Sequence, residues 1–245
     1  MTTHQDLIDN LMCKLNGVQI GKATLFNCDC NDFMACLPDK AFELSCVDPP
    51  YGIGDTFISN STGAKKMKLE RVHKKMDWDA DVPPPEYFIE LERVSVKRVI
   101  WGANYFNSFE DGGAVVWYKN RGGTSLSQCE IASVSGQKKV DYFFHQILTG
   151  FVCDEVRIHP TQKPIKLYEW LLARYAKPGQ RILDTHLGSM SSVIACLNHG
   201  FEIVGCELDA DYFKAGVERV RKSQQQQKLF ESMFLPNREE RRVDK

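Results

Sequence analysis

The chain has 245 residues, is 43% hydrophobic and 26% charged, and carries a formal net charge of −1. That supplies a core for one large α/β domain or two small ones, and it excludes bulk attraction to polyanions, so any nucleic-acid contact must come from local patches. No apolar run approaches the roughly 20 residues of a membrane span, and the polar amino terminus lacks a signal-peptide core, so no membrane is expected as a partner. Nine cysteines without a CxxC pair read as reduced thiols of a cytoplasmic protein, with neither a disulfide framework nor a metal site.

In chain order, a short strand is expected over 24–27, ending at Cys28 and Asp29, and a short helix over 32–37. A buried strand over 43–47 ends at Asp48. Residues 52–83 form a long polar loop, and segments of that length inside a compact domain usually serve function. A helix over 84–95 has proline near its start, where a missing N–H does no harm. Strands follow over 97–101, 114–118 and, with weak alternation, 129–134. After Pro164 the apolar positions Leu167, Trp170 and Leu171 and the run 173–175 repeat with helical period. Beyond the break "KPGQ" come a strand over 181–184, a helix over 191–199, a strand over 201–207 and a final helix over 211–222. Residues 224–245, with their glutamine run, read as a flexible tail behind a single domain over 1–223. Strands alternating with helices predict a mostly parallel, doubly wound α/β sheet covered on both faces.

"SCVDPPYGIG" sets an acid at a strand end, followed by two residues that lack an N–H and fix φ. Taken alone, Asp48, Pro49, Pro50 and Tyr51 could be a tight turn. "ILDTHLGSMSSVIACLNHGFEIVGCELD" runs from strand through a Gly188 turn to helix and on to a strand ending in Glu207. Such turns bind ligands at the carboxyl ends of parallel strands, and Glu207 stands where an acid holds ribose hydroxyls. The turn is not GxGxxG: Met190 occupies a position where a second glycine would let backbone approach a pyrophosphate. A nucleoside without phosphates fits better; a plain βαβ unit is the bland alternative.

Together, "DPPY" at 48–51, "HPTQKP" at 159–164 and "DTHLGSMSS" at 184–192 resemble the S-adenosylmethionine-dependent amino-methyltransferases of DNA bases. With DPPY ahead of the cofactor turn, the order is similar to the circularly permuted beta class. "RVIWGANYF" and "GAVVWYKN" are similar to that family's central strands, and the likeness spans roughly residues 24–220. The resemblance implies a Rossmann-like methyltransferase fold and S-adenosylmethionine as cofactor. Carried over, Asp29 would approach the adenine of the cofactor, Asp184, Leu187, Gly188, Ser189 and Ser191 would line its methionine side, and Glu207 would hold its ribose. Thr161 and Lys163 would meet its carboxylate, with Asp48 adjoining. At Met190 the family commonly has glycine; weaker cofactor binding and a local readjustment both stay open.

The exocyclic amine of a nucleobase is a poor nucleophile, because its lone pair is delocalised into the ring. Two acceptors aimed at its N–H bonds, the Asp48 carboxylate and the Pro49 carbonyl, would gather that density; Pro50 stiffens the turn and Tyr51 offers a face to an extruded base. Within the family DPPY leans toward adenine, which makes N6-methylation of adenine in double-stranded DNA the leading expectation. Cytosine-N4 methylation, an RNA or protein-amide substrate, and a non-catalytic DNA-binding partner of a methyltransferase are the alternatives. His159 is expected to have a structural or cofactor-positioning role rather than that of a general base, since amine methylation needs none, and His186 to pack in its turn.

The loop leaving DPPY concentrates Lys65, Lys66, Lys68, Arg71, Lys74 and Lys75 against the single acid Glu70. Such a patch suits DNA phosphates, which position a protein without reporting sequence. In the beta class, target recognition falls between the central strands and HPTQKP. Here that segment is 119–158, too short for a separate domain, with Arg121 as the candidate base-edge contact. Family members often pair, which makes a homodimer an expectation as well.

Overall fold

The computed structural model describes residues 6, 11–12, 14–53, 79, 81–120, 127–146, 155 and 157–234. Nine strands among them form one sheet: β1 (Val18–Ile20), β2 (Ala23–Asn27), β3 (Phe42–Val47), β4 (Ser95–Trp101), β5 (Ala114–Tyr118), β6 (Cys129–Val134), β7 (Val140–Phe144), β8 (Arg181–Asp184) and β9 (Glu202–Glu207). Their spatial order is β1-β2-β9-β8-β3-β4-β6-β5-β7. From β2 through β9, β8 and β3 to β4 every pairing is parallel, with Asn27 opposite Glu207, Asp184 opposite Gly205 and Ser45 opposite Leu183. β6 turns antiparallel to both β4 and β5, whereas β7 lies parallel to β5 at the far edge.

The central strands read as continuous apolar runs because both of their faces are covered. In β8 Ile182 enters one core and Leu183 the other; in β9 Ile203 and Val204 divide the same way. On one face, α1 (Cys30–Ala35) and α2 (Pro85–Val94) contribute Phe33, Met34, Tyr87, Leu91 and Val94. The short α3 (Ala103–Phe106) follows β4 directly. On the other face lie α4 (Ile165–Tyr175), α5 (Ser191–Asn198) and α6 (Ala210–Phe234), with Leu167, Leu171, Val193, Ile194, Val217 and Val220 in the core. Each fully buried side chain of this size contributes about 1.5–3 kcal/mol of transfer free energy.

The expected doubly wound sheet is present, with two differences. β1, β7 and α3 were not anticipated. The last helix does not stop near Lys222: α6 continues through Phe234, so the tail expected from 224 onward is helical over its first part. Gln, Lys and Arg are good helix formers, and a helix already anchored by Val217 and Val220 needs no further apolar stripe to propagate. The described part of the segment 119–158 carries β6, expected as a weak strand, and β7, and both belong to the sheet.

Five parallel neighbours bring their carboxyl ends to one edge. From β8 the chain moves to β9, from β3 it moves the opposite way to β4, and β8 pairs with β3 directly. Between these two strands the winding reverses, which is where open α/β sheets open a crevice.

Candidate active site

Asp48 immediately follows β3. Its Oδ1 accepts from the Tyr51 hydroxyl at 2.6 Å and its Oδ2 from Lys163 Nζ at 2.5 Å. Pro49 and Pro50 carry no N–H, so the first amides after Asp48 are those of Tyr51 and Gly52. Both donate to Asp79 Oδ1, at 2.7 and 3.2 Å, which pins the turn from outside the motif. Burial raises the Asp48 carboxyl pKa; the Lys163 ammonium pulls against this without cancelling it, and Glu130 adds to the rise.

Tyr51 does not present the bare face expected of it. Its ring stacks on Tyr105 at 4.9 Å and 16°, meets the edge of Phe106, and rests against Gly102, where any Cβ would collide with it. Gly102 also has φ +78, so both sterics and backbone demand glycine there. Burial holds the Tyr51 phenol far above its ordinary pKa, which keeps it a donor to Asp48.

Lys163 departs from expectation. Its side chain is 3% exposed, and its ammonium is shared between Asp48 and Glu130 Oε2, the latter at 2.9 Å. It also sits 5.3 Å from the Trp101 ring centroid. Glu130, on β6, is held from its other side by Lys119 at 2.5 Å. Burial would raise the Glu130 carboxyl, but Lys163 and Lys119 outweigh it and hold it at about 2. Thr161 is exposed, and its Oγ1 lies 3.1 Å from His159 Nδ1.

The second half of the site lies on the adjacent strands. Gly188 adopts φ +47 and donates its N–H to Glu207 Oε2 at 2.8 Å, while Asp209 N–H donates to Oε1 at 2.9 Å. Burial lifts the Glu207 carboxyl, opposed by these backbone donors. Asp184, buried at the end of β8, accepts from His186 N–H at 3.0 Å and from the Ser192 hydroxyl at 2.5 Å. Burial still drives its pKa to about 7. Asp29 caps α1, with its Oδ1 accepting from Asn31 N–H at 2.7 Å and Asp32 N–H at 3.3 Å. Leu187 is buried and donates its N–H to Cys206 O at 3.1 Å. Asp29, Glu207, Asp184 and Asp48 thus stand at or just beyond the carboxyl ends of the neighbouring parallel strands β2, β9, β8 and β3.

The HPTQKP segment spans both halves. At one end Lys163 reaches Asp48; at the other the His159 ring lies over Gly188, edge-on to Tyr212 at 4.4 Å. Burial, then Arg157 and Lys163, depress His159 to about 4, so it is a neutral ring at neutral pH. His186 packs beside Thr185 and Tyr87 as anticipated. Sequence reasoning missed the clamp behind the Gly188 turn: Arg219 donates to Ser189 O at 2.5 Å, to Ser191 Oγ at 3.0 Å and to Glu155 Oε2 at 2.6 Å. Glu155 Oε1 in turn accepts the first amide of α4, Ile165 N–H, at 2.9 Å. Lys65, Lys66, Lys68, Arg71, Lys74, Lys75 and Arg121 lie outside the described residues.

A family model described as DNA methylase matches residues 116–218, which include HPTQKP and the Gly188 turn. The DNA adenine methyltransferase YhdJ of Escherichia coli (strain K12) is 31% identical over 234 residues, covering 75% of this chain and 78% of the relative. The chain belongs to the DNA methylase family. Two solved structures share this methylase's fold. One is the PvuII cytosine-N4-specific DNA methyltransferase, with TM-score 0.53, 11% identity, and 82% of this chain and 90% of that one covered. The other is the M1.HpyAVI–SAM complex, with TM-score 0.50, 18% identity, and coverages of 80% and 99%.

Proposed function

We propose that this methylase transfers a methyl group from S-adenosylmethionine to the exocyclic N6 of adenine in double-stranded DNA, with the target base extruded from the duplex. The observation that supports this reading is that one segment, HPTQKP, touches both motifs: Lys163 bonds Asp48 after β3 while His159 lies against Gly188 after β8, on the two strands between which the winding reverses. The choice of adenine is supported by the relative named a DNA adenine methyltransferase.

The residues present fit the cofactor. A Cβ at Gly188 would have His159 as its nearest neighbour among the described residues, at 3.7 Å, an ordinary contact, so the turn is not filled by packing. Met190 is fully buried and turned into the core. Glu207 would take the ribose, Asp29 the adenine, and Leu187, Gly188, Ser189 and Ser191 the methionine side, with Asp184 behind them. When bound, S-adenosylmethionine supplies a methyl group made electrophilic by its sulfonium charge.

The chain's own residues then act on the amine. Asp48 and the Pro49 carbonyl accept its N–H bonds and concentrate electron density on nitrogen, a preorganised electrostatic effect. Asp48, with its pKa raised by burial, also takes the proton the amine releases. The basic loop within 52–83 and Arg121 are assigned to DNA phosphates and to a base edge; the free thiols of the described cysteines support a cytoplasmic setting.

The test is incubation of enzymatically copied, unmethylated duplex DNA with methyl-labelled S-adenosylmethionine, followed by nucleoside analysis. Label in N6-methyladenine is expected. Label in N4-methylcytosine overturns the choice of base, and label confined to RNA or protein overturns the choice of substrate.

A further inference from the structure

The acceptor assigned to the target amine already has a nitrogen on it. Lys163 Nζ donates to Asp48 Oδ2 at 2.5 Å and lies 3.1 Å from the Tyr51 hydroxyl, so a side-chain ammonium makes the contact that an exocyclic amine needs. A base entering the site must displace it. An ammonium that is 3% exposed cannot simply be released, because a buried charge stripped of its partner costs several kcal/mol. Glu130 resolves this: its Oε2 stands 2.9 Å from the same Nζ, and its Oε1 is fixed by Lys119. Lys119, Glu130, Lys163 and Asp48 therefore form a chain of alternating charges in which Lys163 has an anion on either side.

We propose that Lys163 is a stand-in for the target amine, holding Asp48 ready until the base arrives, and that Glu130 is the positioning residue that receives its ammonium when the amine displaces it. The inference rests on the reading of Asp48 as the amine acceptor and extends it to how the empty site is kept. Lys119 makes the exchange reversible. It neutralises Glu130 while Lys163 is on Asp48, and when Lys163 moves to Glu130 the Asp48 carboxylate keeps two neutral donors, the Tyr51 hydroxyl and the N–H of the amine. No bond is made or broken in the exchange; one N–H donor replaces another on Asp48 Oδ2.

The consequence is a non-additive pair of substitutions. In Glu130→Gln, Lys163 has Asp48 as its one anion and is locked onto it. Methyl transfer to unmethylated duplex DNA is expected to fall about tenfold in kcat, equivalent to about 1.4 kcal/mol, with KM for DNA raised and cofactor affinity by calorimetry unchanged. Adding Lys163→Gln removes the lock, so the double variant is expected to run faster than Glu130→Gln alone. That comparison is made at alkaline pH, which favours the ionised form of Asp48. If Glu130 merely braces the fold, the double variant is no faster than the single, and the proposal is overturned. Should Glu130→Gln fail to fold, Glu130→Asp, with its carboxylate drawn back by one methylene, is compared with and without Lys163→Gln in the same way. A wild-type chain that labels no DNA removes the Asp48 reading and this proposal together; an active wild type with an unrecovered double variant overturns the proposal alone.

Discussion

Met190 lies in the space that Gly216 leaves. It is the N-cap of α5 in the left-handed region, φ 58 and ψ 29, and is fully buried, and a Cβ on Gly216 of α6 would stand 2.7 Å from its Cγ and 2.8 Å from its Sδ. A non-glycine residue there costs about 1–2 kcal/mol, which burial of the thioether side chain offsets. The departure from glycine is thus a core adaptation, and the idea of a non-catalytic partner loses its premise. Gly216→Ala is expected to lower stability by about 1–3 kcal/mol, and Met190→Gly in the same chain to cost less than its effect alone. Urea unfolding of the four chains measures this; strictly additive losses would show that the two residues are independent.

Asp48→Asn keeps the shape of the turn but weakens the acceptor. Methyl transfer is expected to fall by about 100-fold or more, with cofactor affinity held within about twofold of wild type. Single-turnover transfer and calorimetry report the two separately. Retained transfer would move the acceptor role elsewhere.

The same carboxyl sets an acid limb. Burial raises the Asp48 pKa above the ordinary carboxylate value of about 3.9, so its ionised fraction, and with it the rate, should decline as pH falls at values where an exposed aspartate would still be charged. A pH–rate profile for kcat whose acid limb lies at the ordinary carboxylate position would contradict the raised value.

Asp184 predicts a stability slope of defined sign. Its folded pKa, about 7, exceeds an unfolded value of about 3.9, so the folded chain binds the extra proton. The stabilisation is complete below about pH 4 and is lost as pH rises through about 7. Asp184→Asn, which keeps acceptor and donor atoms for His186 N–H and the Ser192 hydroxyl, should flatten this part of the profile and raise stability relative to wild type at pH 8. Thermal midpoints across the range decide it, and parallel curves would place the proton elsewhere.

Arg219 is expected to act on the cofactor from behind. Arg219→Met frees Ser189, Ser191 and Glu155 together, and a loss of about tenfold in S-adenosylmethionine affinity is expected, about 1.4 kcal/mol. DNA affinity measured without cofactor should not change. An unaltered cofactor affinity would confine the clamp to folding.

Much of this was legible in the residues. The central strands announced themselves because a strand covered on both faces is apolar throughout, and the three motifs fall where such strands end. β7 escaped because its outward positions Val140, Tyr142 and Phe144 are themselves apolar, at 65%, 63% and 49% exposure, so its alternation has no contrast in hydropathy. Glu130 escaped for a different reason: its partner is 33 residues away in sequence, and no motif links them. One signal was present. Glu130 shares its strand phase with Ala132 and Val134, which enter the core, and an acid in phase with core positions needs a cation. Asp79, Arg219 and Glu155 gave none, because their value lies in backbone groups brought to them by folding.

The strand order has a final consequence for how the chain assembles. β2, near the amino terminus, has β9 as its parallel neighbour, and Asn27 Nδ2 bonds Glu207 O across 180 residues of sequence. The sheet edge that carries Asn27 and Glu207 therefore cannot form until β9 has been synthesised. The DPPY turn must wait through more than a hundred further residues for Lys163, and a nascent chain halted before Glu202 would leave the margin of β2 that faces β9 without its partner.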